Sequence, residues 1–204
     1  EIDMKGTRVG MNDFTKQALE LITEMKTNPG SHNSEIDLLN SQWRDNSTQN
    51  GTLGKLIAMV DVSGSMNGDP MEAAIALGIR ISEKSFLKNR IMTFAENPTW
   101  VNLDGYEDFV SKVKVLASSP WGMNTNFEAA LDMILTAIVD NHMAPEDVQD
   151  MVLVILSDMQ MDQGDRCNKD TLYKTMEKKY AAVGIQNHGT PYKPPHIIFW
   201  NLRS

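Results

Sequence analysis

The sequence predicts an α/β fold: a doubly wound, mostly parallel sheet with helices on both faces, plus a small N-terminal helical segment. Apolar runs at residues 56–60 (LIAMV), 151–156 (MVLVIL) and 196–200 (HIIFW) are short and continuous, as buried parallel strands are. Segments with helical periodicity separate these runs, and such alternation indicates a parallel sheet with crossover helices. The chain has 204 residues, of which 41% are hydrophobic, enough for one sizeable domain with a core.

Further elements follow from periodicity and capping signals. Pro70 behind Asp69, with Glu72 three residues after it, predicts a helix with Asp69 as its N-cap. Asp104 and Glu107 form a similar capping pair, which predicts a second helix start. We predict helices over 70–87, 104–116, 126–140 and 169–182, and additional strands over 90–95 and 99–103.

The first fifty residues differ from the rest. One face of a predicted first helix carries Phe14, Ala18, Leu21, Ile22 and Met25, and the Asn-Pro-Gly run at 28–30 ends that helix. A second short helix is predicted at 34–44, and the polar stretch 45–54 is interpreted as a linker. The predicted organisation is a helical appendage and linker over 1–50, followed by the main domain over 51–204.

Composition and charge restrict the partners and the compartment. Nineteen Lys and Arg residues against 27 Asp and Glu residues give a net charge of −8. This acidity disfavours non-specific binding to nucleic acid or anionic lipid, which depends on clustered positive charge. The single cysteine, Cys167, excludes an internal disulfide, as is typical of a reducing compartment. The sequence has no signal-peptide pattern and no run of transmembrane length, so we expect a cytoplasmic location and no membrane partner.

Oxygen-bearing side chains follow the first predicted strand. Asp61, Ser63 and Ser65 occupy alternate positions directly after 56–60, and Gly64 allows the loop to fold tightly around a ligand. A carboxylate and hydroxyls are hard oxygen ligands of the kind that Mg²⁺ prefers. This loop is therefore a candidate cation site.

Two other loops contribute candidates for the same site. In a doubly wound sheet, ligands bind beyond the carboxyl ends of the strands, where the strand order reverses. Asp158 ends the strand predicted at 151–156, and Thr125 lies in the loop before the predicted helix 126–140. The candidate metal ligands are thus Asp61, Ser63, Ser65, Thr125 and Asp158. Mg²⁺ is the expected ion, with Mn²⁺ and Ca²⁺ as alternatives.

Each candidate ligand also has a purely structural alternative. Asp61 and Ser63 are residues that form turns at strand ends. Thr125 and Glu128 form a capping-box pair, so helix capping and metal binding compete for the same hydroxyl oxygen. Asp158 is equally able to cap a helix or close a turn. The agreement of three loops in order and residue type favours the metal site.

The three loops together resemble the von Willebrand factor A (vWA) domain and its metal-ion-dependent adhesion site. The similarity extends over residues 52–203 to a poorly characterised cytosolic group of such domains, related to the vWA half of the TROVE/Ro ribonucleoprotein family. The segments that carry it are 61–66 (DVSGSM), 121–127 (WGMNTNF), 157–162 (SDMQMD) and 199–203 (FWNLR). The family fold normally ends with a further strand and helix, which we expect this chain to lack.

The resemblance implies a role for each ligand. Ser63 and Ser65 would bind the metal through their hydroxyls, and Thr125 would bind directly or through water. Asp61 and Asp158 would bind the metal or hold its coordinated waters. An open coordination position would then accept an Asp or Glu carboxylate from a protein partner, which is binding without catalysis. The helical RNA-binding half of the TROVE proteins has no counterpart upstream, so RNA binding is not carried over.

The sequence is also compatible with two other functions. A metal-dependent hydrolase or phosphotransferase would use carboxylates and Mg²⁺ in the same crevice. Against it, Ser63 occupies the position where aspartyl phosphatases carry a second Asp, and no nucleotide-binding, zinc-protease or serine-hydrolase motif is present. An RNA-associated module rests only on analogy with the TROVE proteins. We therefore expect a protein that is not an enzyme.

Overall fold

The computed structural model describes residues 4–49, 55–61, 68–119, 125–157 and 163–202. These residues form six α-helices, one short 3-10 helix (Pro145–Val148) and five strands. The helices are α1 (Met4–Thr27), α2 (Asn33–Gln49), α3 (Asp69–Lys84), α4 (Phe109–Ala117), α5 (Phe127–Asp140) and α6 (Gln163–His188). The strands are β1 (Leu56–Val60), β2 (Arg90–Thr93), β3 (Trp100–Asn102), β4 (Val152–Ser157) and β5 (His196–Asn201).

The mixed α/β class and the mostly parallel sheet confirm the predicted fold class at this level. The strand order is β3-β2-β1-β4-β5. All neighbouring pairs are parallel except β2 and β3, which pair antiparallel through a short connection. The chain builds outward from β1 to β2 and β3, and then returns to the other side of β1 for β4 and β5. The strand order therefore reverses between β1 and β4.

Alternate residues of the central strands face two separate cores. Ala58 and Val60 of β1 lie in one apolar cluster with residues of α1 to α4. Ile57 and Met59 of the same strand lie in a second cluster with residues of α5 and α6. This alternation is the period-two pattern of a pleated strand, and both faces are covered as parallel sheets require. The result is three layers, with helices on each side of the sheet.

The N-terminal helices pack on the layer formed by α3 and α4. Phe14 of α1 and Trp43 of α2 meet edge to face, with ring centroids 5.3 Å apart. Trp43 also stacks on Phe109 of α4 at 4.0 Å, and such aromatic contacts add to the burial of apolar area. The helix α2 runs on to Gln49. The linker prediction is therefore wrong for residues 45–49, and residues 50–54 lie outside the described part of the chain.

Tertiary contacts explain why α2 is longer than its sequence suggests. Asn46 accepts a hydrogen bond from the Arg80 guanidinium at 3.0 Å, and the backbone oxygen of Ser47 accepts one from Lys84 at 3.0 Å. Both donors belong to α3. Polar residues that are weak helix formers are thus held in the helix by a neighbouring helix.

Two predicted N-caps are wrong by a few residues. The helix α3 begins at Asp69, and its N-cap is Gly68 at φ 90°, where no side chain caps the helix. A glycine adopts this positive φ without strain, so the loop enters the helix one residue earlier than expected. The helix α4 begins only at Phe109, with Asp108 as its N-cap; the Asp108 carboxylate accepts from the Ser111 backbone N–H at 2.8 Å.

The helix α6 extends beyond its predicted range at both ends. It includes Gly184, a residue type that normally weakens a helix interior. The backbone of the loop that follows passes directly over this glycine, because a Cβ built there would lie 2.2 Å from the Tyr192 backbone nitrogen. None of the described helices is both long enough and apolar enough to span a bilayer.

Candidate functional site

The carboxyl ends of β1 and β4 meet at the reversal of strand order. Val60 is in register with Leu156, and the backbone N–H of Asp61 donates to the Leu156 carbonyl at 3.0 Å. Asp61 directly follows β1, and Ser157 is the last residue of β4. This crevice is where doubly wound sheets bind ligands.

Asp61 and Ser157 form a buried hydrogen bond across this position. The Ser157 hydroxyl donates to Oδ2 of Asp61 at 2.8 Å, although the two residues are 96 positions apart in sequence. Asp61 is 0% exposed and Ser157 is 3% exposed. A buried carboxylate needs hydrogen bonds or a cation to offset its loss of hydration. Ser157 provides part of that compensation.

Thr125 lies against the ends of β1 and β2. Its hydroxyl is 3.0 Å from the carbonyl oxygen of Ala95 and 3.9 Å from the Met59 sulfur. The capping role considered for Thr125 is wrong, because Asn126 is the N-cap of α5 and accepts from the Ala129 backbone N–H at 3.1 Å. The Thr125 hydroxyl is therefore not used to begin the helix.

The other candidates lie outside the described residues. Ser63 and Ser65 belong to the segment 62–67, and Asp158 is the first residue of the segment 158–162. In the sequence, these segments directly follow Asp61 and Ser157, respectively. The structure thus brings Asp61 and the residue preceding Asp158 together, as the sequence predicts for two neighbouring strands.

Ser157 is the residue that sequence reasoning did not single out as part of the site. It is a polar residue at the end of an otherwise apolar strand, VLVILS. A hydroxyl directly after a predicted buried strand is a usable signal, since a polar group that becomes buried there needs a partner. The identity of that partner, however, depends on which strand lies next to β4.

A second polar cluster lies in the turn between α1 and α2. Glu24, His32 and Glu35 have ligand atoms within 4.8 Å of one another, the one such group with metal-ligand spacing among the described residues. The two ring nitrogens of His32 contact different carboxylates, Nε2 with Glu24 at 3.1 Å and Nδ1 with Glu35 at 2.5 Å. The ring of His32 thus connects α1 and α2 through one contact to a carboxylate of each helix.

We expect Ser157→Ala to lower the free energy of unfolding by about 1–3 kcal/mol, because the buried Asp61 carboxylate loses a hydroxyl donor. Chemical denaturation measures the change. Ser118→Ala is the matched control: Ser118 is an exposed residue whose hydroxyl donates to the Lys114 carbonyl. A change below about 0.5 kcal/mol is expected there. Equal effects of the two substitutions would contradict a special role for Ser157.

Comparison with known proteins identifies the family. Residues 55–204 match the family described as "Domain of unknown function (DUF7788)". The chain belongs to the DUF7788 family. The match begins one residue before β1 and includes Asp61, Thr125 and Ser157. All the candidate ligands of the DUF7788 domain therefore lie inside the matched region.

A viral protein is also similar to this DUF7788 chain. "Uncharacterized protein L728" of Acanthamoeba polyphaga mimivirus is 34% identical over 177 residues, which cover 84% of this chain and 29% of the viral protein. The chain thus spans less than a third of that relative's length. Because 84% of the chain exceeds the share formed by residues 55–204, the similarity extends into the N-terminal helical segment.

Proposed function

We propose that this DUF7788 chain is a vWA-like module that binds a protein partner through a divalent cation, and that it is not an enzyme. Mg²⁺ is the proposed ion, and an Asp or Glu carboxylate is the proposed partner group. The observation that carries the proposal is the buried, hydrogen-bonded Asp61 carboxylate at the reversal of strand order. The doubly wound sheet supports the vWA-like assignment.

The chemistry of the donor set fits a hard cation. Asp61 contributes a carboxylate, and Thr125 contributes a hydroxyl oxygen that does not cap α5. Ser63, Ser65 and Asp158 would complete the set with two hydroxyls and a second carboxylate. Such all-oxygen ligands are typical of Mg²⁺ rather than of softer metals. A bound Mg²⁺ would supply an open coordination position for a partner carboxylate.

Charge supports a metal-bridged contact over direct ion pairing. The chain has a net charge of −8, so a partner that presents an acidic side chain is repelled at long range. A cation between the two carboxylates converts this repulsion into directional attraction. The same acidity weakens the RNA-associated alternative. Nothing among the described residues favours hydrolase chemistry over binding.

Thermal unfolding with Mg²⁺ or EDTA tests the metal site. A ligand that binds only the native state, at a concentration about a hundred times its dissociation constant, raises the free energy of unfolding by ~2.7 kcal/mol. Each kcal/mol moves the melting temperature of a chain of this size by roughly 2–4 °C, so the melting temperature of wild type should rise by several degrees with Mg²⁺. Asp61→Asn should lose this gain, since its amide offers the cation no charge.

Asp140→Asn is the control, because Asp140 is an exposed acid at the far end of α5 from Thr125. Each variant is compared with itself in the presence and absence of metal, so a lower starting midpoint does not affect the result. No shift in wild type with Mg²⁺ or Mn²⁺ would refute the metal site. An equal shift in Asp61→Asn would place the bound cation elsewhere.

Selection of peptides from a random library then tests the partner chemistry. Peptides retained in Mg²⁺ and released by EDTA should share an Asp or Glu, and replacement of that residue by Asn or Gln should abolish binding. Retention without a common acidic residue would argue against carboxylate recognition.

A further inference from the structure

We propose that Thr125 couples occupancy of the cation site to the loop between β2 and β3, residues 94–99. The inference rests on the proposed function and adds a response of the protein to metal binding. The hydroxyl group of Thr125 faces two neighbours. Thr125 Oγ1 is 3.0 Å from the Ala95 carbonyl oxygen and 3.9 Å from the Met59 sulfur. A hydroxyl has one proton, and the closer, stronger acceptor is the carbonyl.

This arrangement allows Thr125 to fulfil two roles at once. The proton of the hydroxyl is donated to Ala95, whereas a metal ion would bind a lone pair of the same oxygen. The two interactions therefore do not compete. A cation on the oxygen withdraws electron density from the O–H bond, which makes the hydroxyl a stronger donor. Metal binding should thus tighten the hydrogen bond to the Ala95 carbonyl.

The Ala95 carbonyl, near the start of the loop, is where Thr125 contacts the loop backbone. It also accepts from the Asn126 backbone N–H at 3.4 Å. The two ends of the loop are held separately, by Phe94 N–H to the Val60 carbonyl at 3.1 Å and by Thr99 N–H to the Thr93 hydroxyl at 2.9 Å. Between them, Glu96 and Asn97 are exposed. A stronger bond at Ala95 should therefore order the exposed part of the loop.

Loop ordering gives the metal a function besides bridging to the partner. Glu96 and Asn97 directly follow Ala95, so they lie on the segment that the Thr125 hydroxyl restrains. A partner that contacts these residues would meet a more ordered surface when the cation is present. It would then lose less conformational freedom on binding, which raises affinity.

Hydrogen–deuterium exchange of the full chain in Mg²⁺ and in EDTA tests this coupling. In wild type, exchange in peptides covering 94–99 and the Asn126 amide should slow by about fivefold with Mg²⁺, the effect of making one hydrogen bond charge-assisted. Thr125→Val keeps the shape but removes the hydroxyl, so the Mg²⁺ response of the loop should disappear. Thr125→Ser restores the hydroxyl and should restore the response. Helix α4 (Phe109–Ala117), which packs on the opposite face of the sheet from α5, serves as an internal reference that should not respond.

Thermal unfolding of the same samples separates the two hypotheses. If Mg²⁺ raises the midpoint of wild type but leaves the loop exchange unchanged, the coupling is wrong and the metal site stands. If the loop of Thr125→Val responds as that of wild type does, Thr125 is not the link, and the coupling is again wrong. If neither Mg²⁺ nor Mn²⁺ raises the midpoint of wild type, the proposed function and the coupling both fail.

Discussion

Glu83→Gln is expected to lower the melting temperature by roughly 6–12 °C. The substitution removes a carboxylate that pairs with two cations, Arg80 and Lys112, in a polar network between α2, α3 and α4. Oε2 of Glu83 accepts a hydrogen bond from Arg80 at 3.0 Å. Oε1 of Glu83 accepts from Lys112 at 3.1 Å and from the Trp43 indole N–H at 2.9 Å. The exposed fractions of the side chains are 2% for Arg80, 9% for Lys112 and 18% for Glu83.

The size of the effect follows from the burial of Arg80. Its guanidinium lies 3.8 Å above the Trp43 ring, and burial lowers the Arg80 pKa while the Glu83 charge opposes that shift. Removing one partner of a buried ion pair typically costs about 3–5 kcal/mol, because the remaining charge is left desolvated. The amide of glutamine keeps one acceptor oxygen, so we expect the loss in free energy of unfolding to lie near the lower end of this range, at about 3 kcal/mol.

Asp132→Asn is the matched control for Glu83→Gln. Asp132 pairs with Lys179 at 2.5 Å, but their side chains are 36% and 51% exposed. Exposed pairs contribute about 0–1 kcal/mol, so this variant should melt within a few degrees of wild type. Similar midpoints for the two variants would show that the network around Glu83 does not hold the N-terminal helices in place.

Gly184→Ala is expected to lower the free energy of unfolding by about 2–3 kcal/mol, although alanine favours helix formation over glycine by ~1 kcal/mol. A Cβ at this position would lie 2.2 Å from the Tyr192 backbone nitrogen and 2.6 Å from the Thr190 carbonyl oxygen. Backbone atoms cannot rotate away as a side-chain end can. The loop 189–195 must move, and it carries Tyr192, whose buried ring belongs to the core on the α5–α6 face.

Gly10→Ala is the control for this substitution. Gly10 lies on the exposed side of α1, and a Cβ there would meet no atom within 4 Å. The same change should therefore stabilise the protein by up to ~1 kcal/mol, since only helix propensity acts. Denaturant unfolding measures both variants. A stabilised Gly184→Ala protein would contradict the close packing of the loop on α6.

Local hydrophobic patterns predicted helices and strands well where the spacing of apolar residues determines which face of the element is buried. The run 56–60 is β1, and the amphipathic stretch 126–140 is α5 apart from its N-cap residue. Errors lie at the ends of helices, where several Asp, Asn and Ser residues compete to be the cap. Asp108 rather than Asp104, and Asn126 rather than Thr125, have the backbone geometry that lets the side chain reach a free N–H.

The candidate site was predictable only in part, because its contacts join residues that are far apart in the sequence. The sequence shows that Asp61 ends a buried strand, and the rule for doubly wound sheets predicts that another strand end lies beside it. It does not show that the neighbouring hydroxyl is that of Ser157, because this depends on the register between β1 and β4. Nor does it show that Thr125 donates to Ala95.

By itself the sequence determined the α/β class, most helices and strands, and the strand end that carries Asp61, since these depend on hydrophobic periodicity within short windows. Only the tertiary structure decided the order of the strands, the hydrogen bond between Asp61 and Ser157, and the network around Glu83. The physical reason is distance along the chain. Residues 37 or 96 positions apart meet only after the helices and sheet have packed, so no local pattern encodes their contact.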